Sequence, residues 1–252
     1  MDPSQDQVVV VTGASAGIGA ALAEELGRRG ARLVLAARRR EALEAVAARC
    51  GEAEVVPCDV TSRADVERLR EAALARFGRI DAWVNNAGRG LTRPVAELTD
   101  EDVDAMVRDN LKSALYGMQA VLPHLKARGR GVIANVSSML SRVPFATARS
   151  AYSASKAALD SLTEALRMDL AREAPGVRVV LVLPGVVATD FGLNALGGGP
   201  DSRALPGAQT AETVARLLAD GLWSGPVDLY TRPEGLDLVL RHLRGLAGAS
   251  PG

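Results

Sequence analysis

Short apolar runs alternate with longer amphipathic stretches along the chain, and the first such run is Val8-Val9-Val10-Val11. Short β-branched runs are typical of strands that are buried on both faces of a sheet. Such runs predict strands over residues 7–12, 32–36, 54–57, 80–85, 131–137, 177–183 and 227–230. Apolar residues at helical spacing predict helices over residues 17–30, 39–50, 62–77, 99–127, 152–173 and 211–223. Because strands and helices alternate, the pattern predicts an α/β fold, a doubly wound parallel sheet of about seven strands with helices on both faces.

Several residues with chemical potential come directly after predicted strands. In sheets of this kind, ligands bind at the carboxyl ends of the strands. Five residues occupy such positions: Gly13, Asp59, Asn86, Ser138 and Pro184. We therefore expect them to lie along one edge of the sheet.

The composition fits a single domain over residues 1–252 with a core at 7–190. The hydrophobic fraction is 48%, and 30 basic residues balance 30 acidic ones. This charge balance does not fit a nucleic-acid partner, which would require a basic domain or stripe. Residues 1–7 show no basic segment followed by an apolar one, and no apolar run is long enough to span a membrane. We expect a cytoplasmic protein without an integral membrane span.

Cysteine and histidine are rare. Cys50 and Cys58 are the only cysteines, and in a chain without a secretion signal they are expected to be reduced thiols. His124 and His242 are the only histidines and lie far apart in the sequence. We therefore expect no metal site and no histidine-dependent nucleophile triad.

Residues 12–19, Thr-Gly-Ala-Ser-Ala-Gly-Ile-Gly, join the first strand to an Ala- and Leu-rich helix. Gly13 allows a tight turn, Gly17 lets the backbone approach a pyrophosphate, and Gly19 lets helix and strand pack closely. The helix start also offers unpaired N–H groups to the phosphates. The segment predicts a dinucleotide-binding turn in a Rossmann-type fold, although a glycine turn of this kind can be purely structural.

Tyr152 and Lys156 are four residues apart in a predicted helix, so their side chains share one face. A free phenol has a pKa of ~10 and is a poor base at neutral pH. A neighbouring positive charge favours the phenolate and would lower the pKa of Tyr152. The pair therefore indicates a general acid/base, with an ordinary surface pair as the alternative.

Taken together, the motifs resemble those of the short-chain dehydrogenases/reductases. The matching residues, in order, are Gly13-x-x-x-Gly17-x-Gly19, Asn85-Asn86-Ala87-Gly88, Asn110, Ser137-Ser138, Tyr152-x-x-x-Lys156 and Pro184-Gly185. The resemblance runs from about Val8 to Phe191. The interval from Ser138 to Tyr152 is one residue longer than is usual in the family, so Ser137 stays an alternative to Ser138.

The resemblance implies an NADP(H)-dependent oxidoreductase that transfers a hydride between a nicotinamide and a carbonyl or secondary alcohol. Tyr152 would be the general acid/base, and Ser138 would hydrogen-bond the reacting oxygen. Lys156 would lower the pKa of the tyrosine and hold the nicotinamide ribose. Asn110 would kink its helix and carry a water-mediated proton path.

The resemblance also implies a set of cofactor contacts. The glycine turn would contribute Gly13, Ser15, Gly17, Ile18 and Gly19. Asp59 and Val60 would contact the adenine, and Asn86, Ala87 and Gly88 would line its ribose, with a turn-forming role as the alternative for Asn86. The nicotinamide segment would contribute Pro184, Gly185, Val186, Val187 and Thr189, and the catalytic residues Tyr152 and Lys156 would also touch the cofactor.

The residues after the second strand favour NADP(H) over NAD(H). An acidic residue at this position binds the ribose 2′-hydroxyl of NAD, whereas an arginine accommodates the 2′-phosphate of NADP. Ala37 occupies the acidic position, and Arg38 and Arg39 follow it. Ala16 counts against NADP(H), because many NADPH-using relatives have a basic residue there.

The remaining segments suggest a substrate and an assembly. The candidate pocket residues are mostly apolar and favour an apolar carbonyl compound: Met139, Leu140, Val143, Phe145, Phe191, Leu193 and Leu196. Residues 191–210 are predicted to form a substrate loop. Helices 99–127 and 152–173 are predicted to join a homodimer or homotetramer, as in relatives. The amphipathic segment 233–247 is predicted to be a helix that packs on the core or on a second subunit, with membrane attachment as the alternative.

Two other functions stay open at this point. One is a catalytically inactive, dinucleotide-sensing regulator with the same fold. The other is a different Rossmann-like enzyme such as a methyltransferase, which would not need Tyr152 or Lys156.

Overall fold

The structure, a computed structural model, describes residues 2–248, so residues 1 and 249–252 of the predicted domain lie outside the described part. The strands are β1 Val8–Thr12, β2 Arg32–Ala37, β3 Ala53–Pro57, β4 Ala82–Asn85, β5 Gly131–Val136, β6 Val177–Leu183 and β7 Asp228–Tyr230. They form one parallel sheet in the order β3-β2-β1-β4-β5-β6-β7. Every predicted strand is present, and the predicted doubly wound parallel sheet is confirmed.

Helices cover both faces of this sheet. The α-helices are α1 Gly17–Arg28, α2 Arg40–Ala47, α3 Arg63–Phe77, α4 Asp100–Met106, α5 Ser113–Arg128, α6 Ser150–Glu173, α7 Ala211–Trp223 and α8 Gly235–Leu246. Helices α1, α2 and α7 bury Leu22, Leu43 and Leu218 in one apolar cluster with the sheet. Helices α3, α5 and α6 bury a second cluster on the opposite face. The sheet is therefore a buried middle layer, and its polar residues concentrate at the strand ends.

The helix predicted over 99–127 is present without a break from residue 100 to residue 128, but it is not α-helical throughout. Residues Val107–Lys112 form a π-helical turn between α4 and α5. Apolar spacing did not predict this turn, because one additional residue in a helical turn changes the spacing only locally. The turn contains Asn110, the residue for which the family resemblance implies a kink.

The prediction of a homo-oligomer rests on seven apolar residues in the helices at 99–127 and 152–173, and most of them are used in the protein's own core. Three are buried: Met106, Met118 and Leu159. Three more are half-buried against the cluster on this face: Leu111, Leu115 and Leu166. The seventh, Leu162, is half-buried. Their apolar character is therefore explained within one chain, and the homo-oligomer stays a prediction.

Helix α8 contacts the core along only part of its surface. Val239 and Leu238 pack in a cluster with Met139 and Leu183. Four leucines remain exposed: Leu236, Leu240, Leu243 and Leu246. The predicted packing on the core is thus present for one face, and the other face has no partner within the described chain. Of the helices in residues 2–248, none is both long and apolar enough to span a membrane.

Candidate active site

The turn between β1 and α1 has the backbone conformation that its glycines predict. Gly13 and Gly17 have φ angles of +66° and +56°, which L side chains rarely adopt. A β-carbon built on Gly19 would lie 2.3 Å from the carbonyl oxygen of Gly13. Ser15 and Ile18 are half-buried in the same turn. Glycine at position 19 therefore lets the first turn of α1 lie directly against the loop.

Thr12 joins this turn to the segment after β4. Its hydroxyl donates to the Val84 carbonyl at 3.1 Å and accepts from the backbone N–H groups of Asn86 and Ala87 at 3.0 and 3.2 Å. The Asn86 side-chain amide donates to the carbonyls of Thr12 and Gly13 at 3.0 and 3.3 Å. The amide of Asn86 is thus used to cross-link two loops. This role of Thr12 is not predicted from the sequence, although a polar residue that ends a run of four valines is a visible signal.

The N-terminus of α1 is suited to hold an anion. Ala16 precedes the helix without a side-chain cap, and the first turn contains no acidic residue. The first N–H groups of a helix have no intrahelical partner and attract phosphate. Across from them lies Thr189, because a β-carbon built on Gly17 would lie 3.3 Å from its Cγ2 atom. The segment around Thr189 therefore lies against the helix start, whose uncapped N–H groups suit a phosphate.

The segment after β6 is fixed at the same edge of the sheet. The Pro184 carbonyl accepts from the Met139 N–H at 2.9 Å, which joins it to the loop after β5. Gly185 is half-buried, and Val187 forms an isolated parallel bridge with Gln209. The residues predicted to contact nicotinamide therefore line the edge that also contains the glycine turn.

The arginines after β2 are placed at the surface. Arg38 and Arg39 are both exposed. In the described chain, Arg40 is the member of this run that forms an ion pair, with Glu44 at 3.5 Å. Two guanidinium groups are thus accessible where NADP would present its 2′-phosphate.

The Asp59 carboxylate takes part in a local turn. Its Oδ1 atom accepts from the backbone N–H and the hydroxyl of Thr61 at 2.9 and 2.8 Å. The backbone N–H of Asp59 donates to Asp65 at 3.1 Å, and Val60 is half-buried next to it. This turn fixes the loop after β3, and the adenine contact stays a prediction.

Helix α6 places Tyr152 and Lys156 one turn apart, and both side chains are buried. The Lys156 ammonium donates to the Val136 carbonyl at 2.8 Å, so it is held against the end of β5. Ser138 follows this strand end, and its hydroxyl accepts from the Leu140 N–H at 3.2 Å. Three of the four predicted catalytic side chains, those of Ser138, Tyr152 and Lys156, therefore meet where β5 and α6 face each other.

Burial dominates the protonation of this pair. Burial raises the pKa of Tyr152, and a hydrogen bond with Ser138 and the positive charge of Arg149 partly oppose that rise. Burial also lowers the pKa of Lys156 from 10.5 to about 8, while Asp160 acts in the opposite direction. The pKa of Tyr152 is thus raised in the protein without nucleotide, and a lowering of it by Lys156 stays a prediction. Removal from water penalises the charged form of each group.

Asn110 lies beside the same group of residues. Its Oδ1 accepts from the Arg89 N–H at 2.8 Å, and its Nδ2 donates to the Arg89 carbonyl at 3.0 Å and to the Ser155 hydroxyl at 3.1 Å. A β-carbon built on Gly88 would lie 2.8 Å from Asn110 Oδ1 and 3.4 Å from Lys156 Nζ. The bare backbone at Gly88 therefore separates the asparagine from the lysine. The proton path through Asn110 stays a prediction.

The two serines after β5 have different partners. The Ser137 hydroxyl is buried and donates to the Asp160 carboxylate. Ser141 also donates to Asp160, at 2.6 Å, and Arg142 forms an ion pair with it at 2.9 Å. Ser138 is the serine that faces Tyr152. This role of Asp160 is not predicted from the sequence, although its position one helical turn after Lys156 is a usable signal.

The loop between β6 and α7 lies over Tyr152. The Thr92 N–H donates to the Leu196 carbonyl at 2.8 Å, and the Leu196 N–H donates to the Gly90 carbonyl at 2.9 Å. The Phe191 ring lies edge-on to the Tyr152 ring, with 5.6 Å between the centroids. Part of the predicted substrate loop thus contacts the proposed acid/base directly.

The predicted pocket residues divide into two groups. Leu140 and Leu196 pack near Tyr152, and Met139 and Val143 are buried in the cluster that α8 covers. Two others are among the most exposed apolar side chains: Phe145 and Leu193, at 60% and 50%. The structure therefore supports an apolar lining for part of the predicted set.

Comparison with known proteins gives consistent matches. The family model for short chain dehydrogenases matches residues 7–195. An uncharacterized oxidoreductase of Staphylococcus epidermidis is 37% identical over 195 residues, which cover 75% of this chain and 84% of that protein.

Solved structures match along the whole chain. A short-chain dehydrogenase/reductase from Burkholderia phymatum in complex with NAD has a TM-score of 0.88 and 27% identity, and the match covers 100% of this chain and 98% of that one. A short-chain dehydrogenase from Burkholderia cenocepacia in complex with NADP has a TM-score of 0.81 and 30% identity, with 98% and 99% covered. With a family match over most of its length, this chain belongs to the short-chain dehydrogenase/reductase family of oxidoreductases.

Proposed function

We propose that the protein is an NADP(H)-dependent oxidoreductase that interconverts a carbonyl compound and a secondary alcohol. The observation that carries the proposal is the meeting of Tyr152, Ser138 and Lys156 at one end of β5. The same sheet edge holds the glycine turn, whose uncapped helix start suits a pyrophosphate. A related structure contains NAD and another contains NADP, which supports a nicotinamide dinucleotide as the cofactor class.

The residues have separate roles in the proposed reaction. When bound, a nicotinamide dinucleotide supplies the ring that carries the hydride and, in its oxidised form, a positive charge. Tyr152 donates a proton to the developing alkoxide in reduction and removes it in oxidation. Ser138 donates a hydrogen bond to the same oxygen. Lys156 holds the nicotinamide ribose, while Ser138 and the charge of Arg149 oppose the burial that raises the pKa of Tyr152.

The protonation of the protein favours the reductive direction. A raised pKa keeps Tyr152 protonated at neutral pH, which is the form that donates a proton to the oxygen of the carbonyl substrate as it is reduced. The oxidative direction requires the phenolate, which burial disfavours. We therefore expect faster turnover in reduction at neutral pH than in oxidation.

The preference for NADP(H) rests on the accessible guanidinium groups of Arg38 and Arg39. A guanidinium binds a phosphate through two parallel hydrogen bonds. Ala37 places no carboxylate beside it that would repel the phosphate. Ala16 offers no second basic contact for the phosphate, so we expect NADP(H) to be preferred but not exclusive, and NAD(H) to be used less efficiently.

The substrate, the assembly and the location are proposed at a coarser level. Leu140, Leu196 and the ring of Phe191 give an apolar surface beside Tyr152, which suits an apolar carbonyl compound. We expect a homodimer or homotetramer in the cytoplasm. Light scattering at micromolar concentration tests the assembly.

The central test replaces Tyr152 by Phe and, as a matched control, Tyr116 by Phe. Both changes remove one phenol hydroxyl, but Tyr116 lies on α5 under the Arg63 guanidinium, 4.3 Å from it, and away from the site. Turnover is measured with NADPH over a panel of carbonyl compounds, and NADPH affinity by calorimetry. We expect Tyr152→Phe to lose about 10²–10⁴-fold in kcat while NADPH still binds.

Wild-type activity that survives in Tyr152→Phe would refute the acid/base role. NADPH binding without turnover of any compound in the wild type would favour the sensing regulator instead. Greater efficiency with NADH than with NADPH would refute the cofactor assignment.

A further inference from the structure

Arg149 is a partly buried cation whose charge the protein does not balance. It precedes α6 and lies three residues before Tyr152. Among residues 2–248, no carboxylate forms an ion pair with it, and its one hydrogen bond runs from Nη1 to the Leu91 carbonyl at 3.4 Å. Burial lowers the pKa of this guanidinium. The cost of removing the charge from water is therefore not offset within the described chain.

Other partly buried arginines of the protein are compensated. Arg93 pairs with Asp102 at 2.6 Å. Arg178, which also lacks a carboxylate, donates to four backbone carbonyls at distances of 2.8 to 3.4 Å. Arg149 has neither kind of compensation. A partner for it has to come from outside the described residues.

The guanidinium lies beside the proposed site of reduction. A β-carbon built on Gly90 would lie 2.9 Å from Arg149 Nη1 and 3.0 Å from Phe191 Cε1. The Phe191 ring is in turn 5.6 Å from the Tyr152 ring. Arg149 is also close enough to affect the protonation of Tyr152. The cation and the acid/base therefore lie on either side of the Phe191 ring, under the loop after β6.

A second polar group without a partner lies next to the cation. A β-carbon built on Gly199 would lie 2.9 Å from Arg149 Nη2 and 3.2 Å from Thr92 Oγ1. The Thr92 hydroxyl is buried and has no hydrogen-bond partner in the described chain. A guanidinium and a hydroxyl thus face the same glycine, with no side chain between them.

We propose that Arg149 and Thr92 form a subsite for a carboxylate on the substrate, so that the enzyme acts on keto acids and their hydroxy acids. The inference rests on the proposed function and narrows its substrate class. The apolar residues beside Tyr152 hold the body of the substrate, while the Arg149 guanidinium binds the acid group through two hydrogen bonds. An ester or amide of the same size offers no charge to match.

The experiment compares each acid with its methyl ester. The probes are benzoylformate, 3-benzoylpropionate and 4-benzoylbutyrate, which place the carboxylate at increasing distance from one phenyl ketone, together with their three methyl esters. We measure kcat/KM with NADPH and Kd by calorimetry on the cofactor-loaded protein. The variants are Arg149→Met, Arg149→Lys and, as a control of equal charge change on the far end of α6, Arg172→Met.

We expect at least one acid to exceed its ester in kcat/KM by about 10- to 100-fold, the value of one charged hydrogen-bonded contact. In Arg149→Met the acid-to-ester ratio should fall to about one, and in Arg149→Lys it should lie between one and the wild-type value. In Arg172→Met it should equal the wild-type value. The same order should appear in the Kd values.

An acid-to-ester ratio near one at all three lengths overturns the subsite, and so does a ratio that Arg149→Met does not change. A purely structural role for Arg149 would lower acid and ester activity equally. If no compound is turned over, the reductase function fails. The Kd ratios then decide the subsite independently.

Discussion

The turn after β1 and the start of α6 border the same cleft, but different forces hold them in place. Around the turn, neutral groups pack without space for a methyl group, as the 2.3 Å approach to Gly19 shows. Around α6, Lys156 and Asp160 are ionisable groups that the protein buries. The first region is constrained by volume and the second by charge.

This difference assigns different sensitivities to the two regions. A backbone turn closed by glycine and by Thr12 contains no group that titrates near neutral pH. A buried lysine whose pKa lies near 8 titrates close to physiological conditions. Changes of side-chain size should therefore damage the turn at every pH, whereas changes at α6 should have consequences that depend on pH.

The largest expected effect is that of Gly19→Ala. Its β-carbon would meet the Gly13 carbonyl at 2.3 Å, so the backbone has to move, at a cost of about 3 kcal/mol or more in unfolding free energy. NADPH affinity should fall with it. Gly245→Ala is the matched control, because it is also helical and its β-carbon meets nothing within 4 Å. Helix propensity predicts that the control is about 0.5–1 kcal/mol more stable.

Urea unfolding of both variants measures the contrast. Equal unfolding free energies for Gly19→Ala and the wild type would show that the turn has room for a methyl group. The claim that volume constrains the turn would then be wrong.

The next effect is a pH dependence that belongs to Lys156. Below pH 8 Lys156 is protonated in both the folded and the unfolded state. Burial of the ammonium then destabilises the folded state. Between the folded pKa of about 8 and the unfolded value of 10.5, the folded protein holds fewer protons than the unfolded chain. Unfolding free energy therefore rises with pH in this window by up to about 1.36 kcal/mol per unit.

The measurement is urea unfolding of the wild type and of Lys156→Met without added nucleotide. The difference, wild type minus variant, should increase by about 2–3 kcal/mol from pH 7.5 to pH 10. A difference that stays flat across this range would mean that the lysine is not desolvated. Taking the difference removes the opposite contribution of Cys50 and Cys58, whose pKa values burial raises to about 11 and 12.

The smallest effect concerns Thr12→Val, which keeps the volume and deletes the hydroxyl. The Val84 carbonyl and two backbone N–H groups lose their partner. We expect a loss of about 1–2 kcal/mol, equal at pH 7.5 and pH 10. Thr12→Ser keeps the hydroxyl and should lose less. A loss of unfolding free energy that varied with pH would contradict the distinction between the two regions.

The elements and the glycine turn could be predicted because their determinants are local. Four valines followed by Thr12, Gly13, Gly17 and Gly19 specify strand, turn and helix within a dozen residues. The π-helical turn at Val107–Lys112 escaped prediction, since helical apolar spacing does not distinguish a π turn from an α turn over so short a stretch.

In the site, only those residues could be predicted that belong to a recognisable sequence motif. The cross-link between Thr12 and Asn86 joins residues 74 apart, and no local pattern signals that pairing. Arg149 has an uncompensated charge because of residues at 90–92 and 197–199, which lie far from it in sequence. Similarly, burial raises the pKa of Tyr152, and burial depends on the complete fold.

The π-helical turn also has a consequence for deletions of single residues in members of this family. A π turn contains one residue more than an α-helical turn, so deletion of Arg108 would allow α4 and α5 to merge into one regular helix. Each residue of an α-helix turns by about 100°, so α4 would rotate relative to α5. The asparagine could then no longer keep both its bonds to Arg89 and the packing of Met106. Relatives whose sequences lack one residue at this point of an alignment would therefore still contain the asparagine. Its side chain would no longer occupy the position that Asn110 has here.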